Sequence, residues 1–258
     1  MINNPPEESA RLGNMLLQAG VALIKSGAGS NRVITNISRL ASAYGYEANI
    51  DLGTRNISIS LRQETQEIIF TGTQSIATLP GANFKVLSAI SQLSWDAAEK
   101  KISLEESATE INKAIDLPPY PRPVILIVTG IAGTAFCYTF GGNSFEMGIT
   151  FLATLAGLFL KQELVIKKFN PFMITYGSAV LAAVVIGIFW KIGVATKLEH
   201  AFATCILFLI PGVLLINSII DLMDGYIING IDRGVNALMH AFAIAAGLAT
   251  VLYIFGVI

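Results

Sequence analysis

The residues best suited to chemistry lie in one apolar segment in the second half of the chain. Pro211 and Gly212 fall near its middle, where proline removes an intrahelical hydrogen bond and glycine loosens the surrounding turn. Asn217, Asp221 and Asp224 follow at spacings of four and three residues, which places all three on one face of a helix. A broken helix that carries such a stripe can present backbone groups and charge to a substrate or an ion in a membrane.

A second polar stripe follows on the next apolar segment. Arg233, Asn236 and His240 recur at spacings of three and four residues, so they also share one helical face. Because a short connection joins the two segments, we expect the two stripes to face each other. The imidazole of His240 suits proton exchange near neutral pH, and a hydrogen bond to Asn217 is the structural alternative.

The charged groups also have structural interpretations. Asp221 lies deep in its segment, and ionisable groups at membrane depth usually line a substrate or ion pathway. We therefore prefer a transport role for Asp221 over a structural ion pair with Arg233. Asp224 and Arg233 lie near the predicted membrane surface, where an interfacial position explains them as well as a function does.

The composition divides the chain into two parts. Only 14% of its 258 residues are charged and the mean hydropathy is +0.62, whereas soluble proteins carry about 25% charged residues. Residues 1–119 hold 10 Lys and Arg and 12 Asp and Glu, but residues 120–258 hold only 7 and 6. The fold class predicted is therefore an α-helical membrane protein, with a small soluble α+β domain over 1–119 and a transmembrane domain over 120–258.

The second part contains enough apolar sequence for a bundle of about five transmembrane helices, since each span needs about 20 mostly apolar residues. The predicted spans are 123–140, 145–160, 172–190, 201–223 and 234–258. No cleavable signal peptide is visible, and the loops on the side of the N-terminal domain hold five Lys and Arg, against Lys191 and Lys197 on the other side. We therefore expect a multi-pass protein of the cell inner membrane with a cytoplasmic N-terminal domain.

The N-terminal part alternates between helical and strand periodicity. Helices are predicted at about 9–26, 33–44, 83–101 and 103–115, and strands at about 46–52, 57–61 and 66–71. Ser103 and Glu106 form a predicted capping box at the start of the fourth helix, and Gly45 is the predicted residue after the end of the second.

A loop between the first two helices is the candidate site of this domain. The segment 26–32 contains Ser30 and Arg32, and free amides at the start of the second helix favour an anion. An interhelical turn with an N-cap is the simpler interpretation. Thr54 and Arg55 are also candidates, with a hairpin turn as the alternative. No nucleophile–base pair or metal-ligand spacing is present, so we expect no enzyme and no cofactor.

The remaining features exclude some partners. The net charge is −1 without a basic stripe, which argues against nucleic acid. Cys137 and Cys205 both lie in apolar segments, where they are expected to be small buried residues and not metal ligands.

The order of these motifs resembles the threonine/serine exporter family, including its two-component dicarboxylate (succinate) branch. The matching stretches are Ser26-Gly27-Ala28-Gly29-Ser30-Asn31-Arg32-Val33, Gly53-Thr54 before 57–61, Pro211-Gly212 with Asn217 and Asp221, and Gly225 with Asn229-Gly230. The resemblance implies export across the inner membrane of a small polar metabolite, either an amino acid such as threonine or serine, or a dicarboxylate such as succinate. It marks Pro211, Gly212, Asn217 and Asp221 as site residues, with Arg32, Thr54 and Arg55 in the N-terminal signature.

Single-chain members of that family carry about ten spans. Five spans here imply a separately encoded small membrane subunit that supplies the second half of the transporter, and a higher oligomer is compatible with this. We expect secondary transport, with Asp221 and His240 as candidate carriers of a coupled proton.

Two other functions are weighed against export. A regulatory or sensor protein would use its cytoplasmic domain to bind a ligand or partner, with the helices as an anchor. Deletion of residues 1–118 would separate the two, because an exporter core would keep some transport and a sensor would lose its function. An intramembrane enzyme is disfavoured, since no catalytic motif of the metalloprotease or serine-hydrolase type is present.

Overall fold

The N-terminal part folds into four helices and a three-stranded sheet. The computed structural model describes residues 5–63, 67–76, 81–193 and 198–256. The predicted start of the third strand at residue 66, Lys197 and the last two residues of the predicted fifth span lie outside these ranges. The elements are α1 (Pro5–Lys25), α2 (Ser30–Ala43), β1 (Glu47–Leu52), β2 (Asn56–Arg62), β3 (Ile68–Ser75), α3 (Phe84–Ala98) and α4 (Leu104–Ile115).

The sheet is an antiparallel meander in the order β1-β2-β3. Ile57, Ile59 and Leu61 of the central strand are fully buried, as their alternation predicts. The third strand runs on to Ser75, beyond the predicted end at 71, because its outer face is polar and gives no hydrophobic signal. Hydroxyl pairs with the central strand hold this extension, for example Ser58 Oγ and Thr73 Oγ1 at 2.9 Å.

Local chemistry sets the helix ends. The predicted capping box is confirmed: Ser103 Oγ accepts from the Glu106 N–H, and the Ser103 N–H donates to Glu106 Oε2. The Ser103 hydroxyl also donates to Glu106 Oε2 at 3.0 Å. The bond from the Ser103 backbone, followed by the one from its hydroxyl, lowers the pKa of the Glu106 carboxyl. Gly45 has φ of +82° after α2, as predicted. The third helix ends at Ala98 and not at 101, because Lys100 turns the chain with φ of +55°.

The second part is almost entirely helical. Its elements are α5 (Arg122–Thr139), α6 (Ser144–Ile166), α7 (Pro171–Ile192), α8 (Glu199–Thr204), a 3₁₀ turn (Leu207–Leu209), α9 (Gly212–Met223) and α10 (Ile227–Phe255). Among the described residues, α5, α6, α7 and α10 are long and apolar enough to cross a membrane, and a fifth span results if the broken pair Glu199–Leu209 and Gly212–Met223 counts as one. Apolar side chains such as Phe242 and Leu238 are 75% and 66% exposed, which suits a lipid solvent.

The predicted span 201–223 is a broken helix, as Pro211 and Gly212 predicted. It consists of α8, the 3₁₀ turn and α9, and the break falls at Pro211 and Gly212, where the sequence predicted a disruption. Ile210 is extended, with ψ of 127°, because a residue before proline avoids the helical region.

The fifth span begins at Ile227 and not at 234. Gly225 makes the turn with φ of +87°, and the Tyr226 N–H donates to the Asp221 carbonyl. Arg233 therefore lies almost two turns inside α10 and is only part-exposed.

The chain forms two compact units. The first combines Met1–Pro119 with Val213–Gly234, and the second combines Tyr120–Gly212 with Val235–Ile258. Almost all of α9 and the first turns of α10 thus pack with the N-terminal helices and sheet, although about 100 residues of sequence separate them.

Candidate functional site

Asp221 is the centre of the polar contacts in the first unit. Its side chain is fully buried. Oδ1 accepts a hydrogen bond from the Ser30 backbone N–H at 2.9 Å, and Oδ2 accepts one from the Ser30 hydroxyl at 3.1 Å. Arg233 Nη1 lies 3.1 Å from Oδ2. The ion pair that the sequence offered as an alternative is therefore present, and Ser30 joins it.

The contact with Ser30 completes the start of α2. Gly29 occupies the N-cap position, where it has no side chain to cap the helix. The carboxylate of Asp221, 191 residues further along the chain, takes that role and meets the positive end of the helix dipole. The anion expected at this helix start is thus a side chain of the same protein.

All three residues of the first polar stripe reach the loop before α2 or the first turn of α2. Asn217 Nδ2 donates to the Gly27 carbonyl at 2.9 Å, and Asn31 Nδ2 donates to Asp224 Oδ2 at 3.0 Å. With Asp221 between them, the stripe lies on one helical face as predicted. The glycine-rich loop and the proline-glycine helix, the two most distinctive motifs of the sequence, are therefore direct neighbours.

Two residues of α10, Arg233 and Asn229, also contact this cluster. Arg233 Nη2 donates to the Ala28 carbonyl at 3.0 Å. Its Nη1 lies close to Asp221 but has no hydrogen-bond partner among the described residues. The two side chains therefore attract each other through their charges and not through an aligned hydrogen bond. Asn229 Nδ2 donates to the Leu52 carbonyl at 3.0 Å and lies 3.4 Å from Ser30 Oγ.

A cavity of about 660 Å³ opens beside this cluster, between α2, α3 and α9. Ligand pockets of proteins are typically about 300–1,000 Å³. Its lining comprises Gly27, Ala28, Gly29, Asn31, Arg32, Thr35, Asn36, Arg39, Phe84, Leu87, Ser91, Trp95, Val213, Ile216, Asn217, Ile220 and Asp224. The charged lining residues are two arginines and one aspartate, which gives the cavity a positive balance.

The two arginines lie on one face of α2 and are held in place from α3. Arg32 and Arg39 are seven residues apart, or about 10 Å along the helix axis. Arg32 Nη2 donates to Ser91 Oγ at 3.2 Å. The Arg39 guanidinium stacks 3.7 Å from the centre of the Trp95 ring and donates to Ser94 Oγ at 2.8 Å.

Other predicted site residues lie elsewhere. Thr54 and Arg55 form the turn between β1 and β2, and the Arg55 carbonyl accepts from the Ile76 N–H. Neither lines the cavity, and both lie where the hairpin interpretation places them. Pro211 and Gly212 form the junction into α9, and Val213 is the cavity residue that follows them.

The second polar stripe does not act as one group. Arg233 meets Asp221 in the first unit, whereas Asn236 and His240 belong to the second unit. His240 Nδ1 lies 2.8 Å from Thr175 Oγ1 on α7, so the hydrogen bond proposed to Asn217 is wrong. The cause is the longer α10, on which these residues extend over two turns and reach different neighbours.

Several residues of the site escaped the sequence analysis. Arg39, Ser91 and Trp95 of the cavity and Asn229 of the cluster were not assigned a role. The spacing of Arg39 from Arg32 on an amphipathic helix was the available signal for the basic face. Within the described residues, no group of three or more His, Cys, Asp or Glu side chains is placed to hold a metal ion.

The sequence matches a known protein family. The family model described as "Putative threonine/serine exporter" matches residues 14–255, which includes both motifs that meet at Asp221. The chain belongs to the threonine/serine exporter family. It is thus a multi-pass membrane protein of an exporter family, and this membership favours transport over catalysis.

Two relatives match the chain over nearly its whole length. The chain is 24% identical over 251 residues to the probable succinate transporter subunit YjjP of Escherichia coli strain K12, with 97% of each chain covered. It is 22% identical over 250 residues to the protein of the same name from Klebsiella aerogenes, with 96% of each covered. No solved structure matches the chain.

Proposed function

We propose that this chain is a subunit of a secondary exporter that carries a small dicarboxylate out of the cell. The observation that carries this proposal is the basic cavity of the first unit, with Arg32 and Arg39 on its wall. The relatives named as succinate transporter subunits support the same substrate class.

The charges of the cavity favour a dicarboxylate over an amino acid. Guanidinium groups bind carboxylates through paired hydrogen bonds, and a dicarboxylate offers one carboxylate to each arginine. Threonine or serine would bring a single carboxylate and an ammonium group that needs an acidic partner. The acidic lining residue, Asp224, already accepts from Asn31.

Asp221 links this cavity to the transport cycle. Its carboxylate holds Ser30 at the start of α2 and faces Arg233, so it fixes the loop that forms one wall of the cavity. Protonation would remove the charge that attracts Arg233 and would weaken this loop. A proton taken up at Asp221 would thereby be coupled to opening of the cavity.

The membrane arrangement is part of the same proposal. The domain of residues 1–119 faces the cytoplasm, and the apolar helices lie in the inner membrane. Four or five spans form an incomplete transporter, and a separately encoded small membrane subunit supplies the rest. The word "subunit" in the names of the relatives supports such a partner.

The test replaces both arginines in the source cell. We expect Arg32→Gln with Arg39→Gln to reduce succinate efflux at least about tenfold, which corresponds to about 1.4 kcal/mol of lost binding. Efflux is measured by loading cells with labelled succinate and following its release. Arg11→Gln is the matched control, because Arg11 is exposed and pairs with Glu7 outside the cavity.

Two results would contradict the proposal. Succinate efflux at the parental rate in the double variant would remove the cavity from the pathway. Accumulation of threonine or serine, and not of a dicarboxylate, in cells that lack the chain would assign it the other substrate class.

A further inference from the structure

Three buried hydroxyl groups in the second unit have no role in the site described above. Thr150, Thr154 and Ser178 are 0%, 1% and 0% exposed. Their hydroxyl oxygens have no hydrogen-bond partner among the described residues. A buried hydroxyl without a partner costs about 1–3 kcal/mol, so three in one helical unit need a physical reason.

Other threonines of the same unit form a hydrogen bond from the hydroxyl group to the backbone of their own helix. The hydroxyls that donate to the carbonyl four residues earlier belong to Thr134, Thr139, Thr175, Thr204 and Thr250, at 2.6 to 3.1 Å. Thr150 and Thr154 stand in the same helical geometry and do not make this bond. Inside a membrane, the remaining partner for such a hydroxyl is water, which typically binds where several buried polar groups converge.

Two of these hydroxyl groups and one carboxyl group lie in a line on α6. Glu146, Thr150 and Thr154 are spaced by four residues on one face of α6 and span about 12 Å. Glu146 is only 2% exposed, and its Oε1 lies 3.2 Å from His200 Nδ1 on α8. This pair forms one end of the line.

The line continues onto α7. A Cβ at Gly157 would lie 2.9 Å from the Ser178 carbonyl, so Ser178 lies beside the α6 turn that follows Thr154. Thr175 is one turn from Ser178, and its Oγ1 lies 2.8 Å from His240 Nδ1. Each end of the line therefore carries an imidazole.

We propose that these groups form a hydrated polar track through the second unit, and that protons driving export move along it. This inference rests on the proposed function. His200 in its protonated form transfers the proton on Nδ1 to Glu146, so that an N–H bond breaks and an O–H bond forms. That O–H bond then breaks as Glu146 gives the proton to water beside Thr150, Thr154 and Ser178, and the water chain delivers a proton to neutral His240, where an N–H bond forms. No oxidation or reduction is involved.

Other titratable groups lie in the same unit. Lys161 lies on α6 seven residues after Thr154 and therefore on the same face. The thiols of Cys137 and Cys205 are fully buried in the same unit. Among the described residues, His200 is the basic partner of Glu146 that lies within 4 Å.

The experiment replaces hydroxyls by methyl groups of nearly equal size. Inverted membrane vesicles are prepared from source cells in which Thr150→Val with Thr154→Val replaces the natural chain. With succinate on both sides, we expect voltage-driven proton uptake to fall at least about tenfold, while succinate counterflow persists. Thr134→Val is the matched control, since the Thr134 hydroxyl is bonded to the Gly130 carbonyl, and it should keep both activities.

The outcomes distinguish a hydrated track from helices that pack together without water. If the hydroxyls are only packing defects, the valines leave proton uptake unchanged and raise thermal stability, and the track is overturned. Absence of proton uptake by the parental chain also overturns it. Thr150→Ser with Thr154→Ser keeps the hydroxyls and should restore proton uptake. Loss of counterflow in the parental chain would instead contradict the proposed function, because counterflow needs no net proton movement.

Discussion

The side chain of Asp221 is charged and fully buried, and it caps a helix. The carboxylate is the counter-ion of the part-buried Arg233 and the cap of α2. Removing one partner of such a pair leaves the other without compensation. We expect Asp221→Asn to lower the free energy of unfolding by about 3–5 kcal/mol, measured by denaturant titration of the purified protein in detergent. Asp224→Asn should cost less than about 1 kcal/mol, because Asp224 is exposed.

A double variant separates stability from transport at the same residue. Asp221→Asn combined with Arg233→Gln removes both charges, and we expect it to recover part of the lost stability. If the proposed transport role is right, succinate efflux stays low in the double variant. Recovery of both stability and efflux would mean that the role of Asp221 is structural only.

The element that depends most on backbone conformation is the loop before α2. Gly27 has φ of +85°, a Cβ there would lie 3.2 Å from Ala82 Cβ, and its carbonyl accepts from Asn217. We expect Gly27→Ala to destabilise the protein by about 2 kcal/mol and to impair efflux, since left-handed backbone alone costs about 1–2 kcal/mol. Gly45→Ala is the control: its φ is +82°, no atom lies within 4 Å, and only the backbone cost applies. Equal effects of the two changes on efflux would exclude the loop from transport.

Local elements were predictable from sequence, and contacts between them were not. The alternation of Ile57, Ile59 and Leu61 and the spacing of Ser103 from Glu106 act within a few residues, so the pattern alone indicates the structure. The stacking of Arg39 on Trp95 joins two helices whose relative placement no local pattern contains. The break at Pro211 was visible, because proline acts on its own neighbours, and so was the possible ion pair of Asp221 with Arg233, whereas the contact of Asp221 with Ser30 was not.

On the scale of the whole molecule, the first unit is built from two distant stretches of sequence. Deletion of residues 1–118 therefore cannot separate a sensor from an exporter, because it also removes Ser30, the residue that Asp221 caps. We expect residues 1–119 alone to fold on their own buried core, but with the Ser30 amide exchanging at least about tenfold faster than in the full chain. Amide hydrogen exchange measures this, and the Glu106 amide is the control, because Ser103 caps it locally. Unchanged exchange at Ser30 would contradict the capping role of Asp221.

The distance in sequence between Ser30 and Asp221 also has a consequence during synthesis. At about 5–20 residues per second, the ribosome takes about 10–40 s to add the 191 residues between them. Throughout that interval the loop before α2 is present without its cap, and it becomes fixed only after the broken helix has been made. The cavity is thus completed late, so a truncated or badly inserted chain cannot display a finished binding surface to the cell.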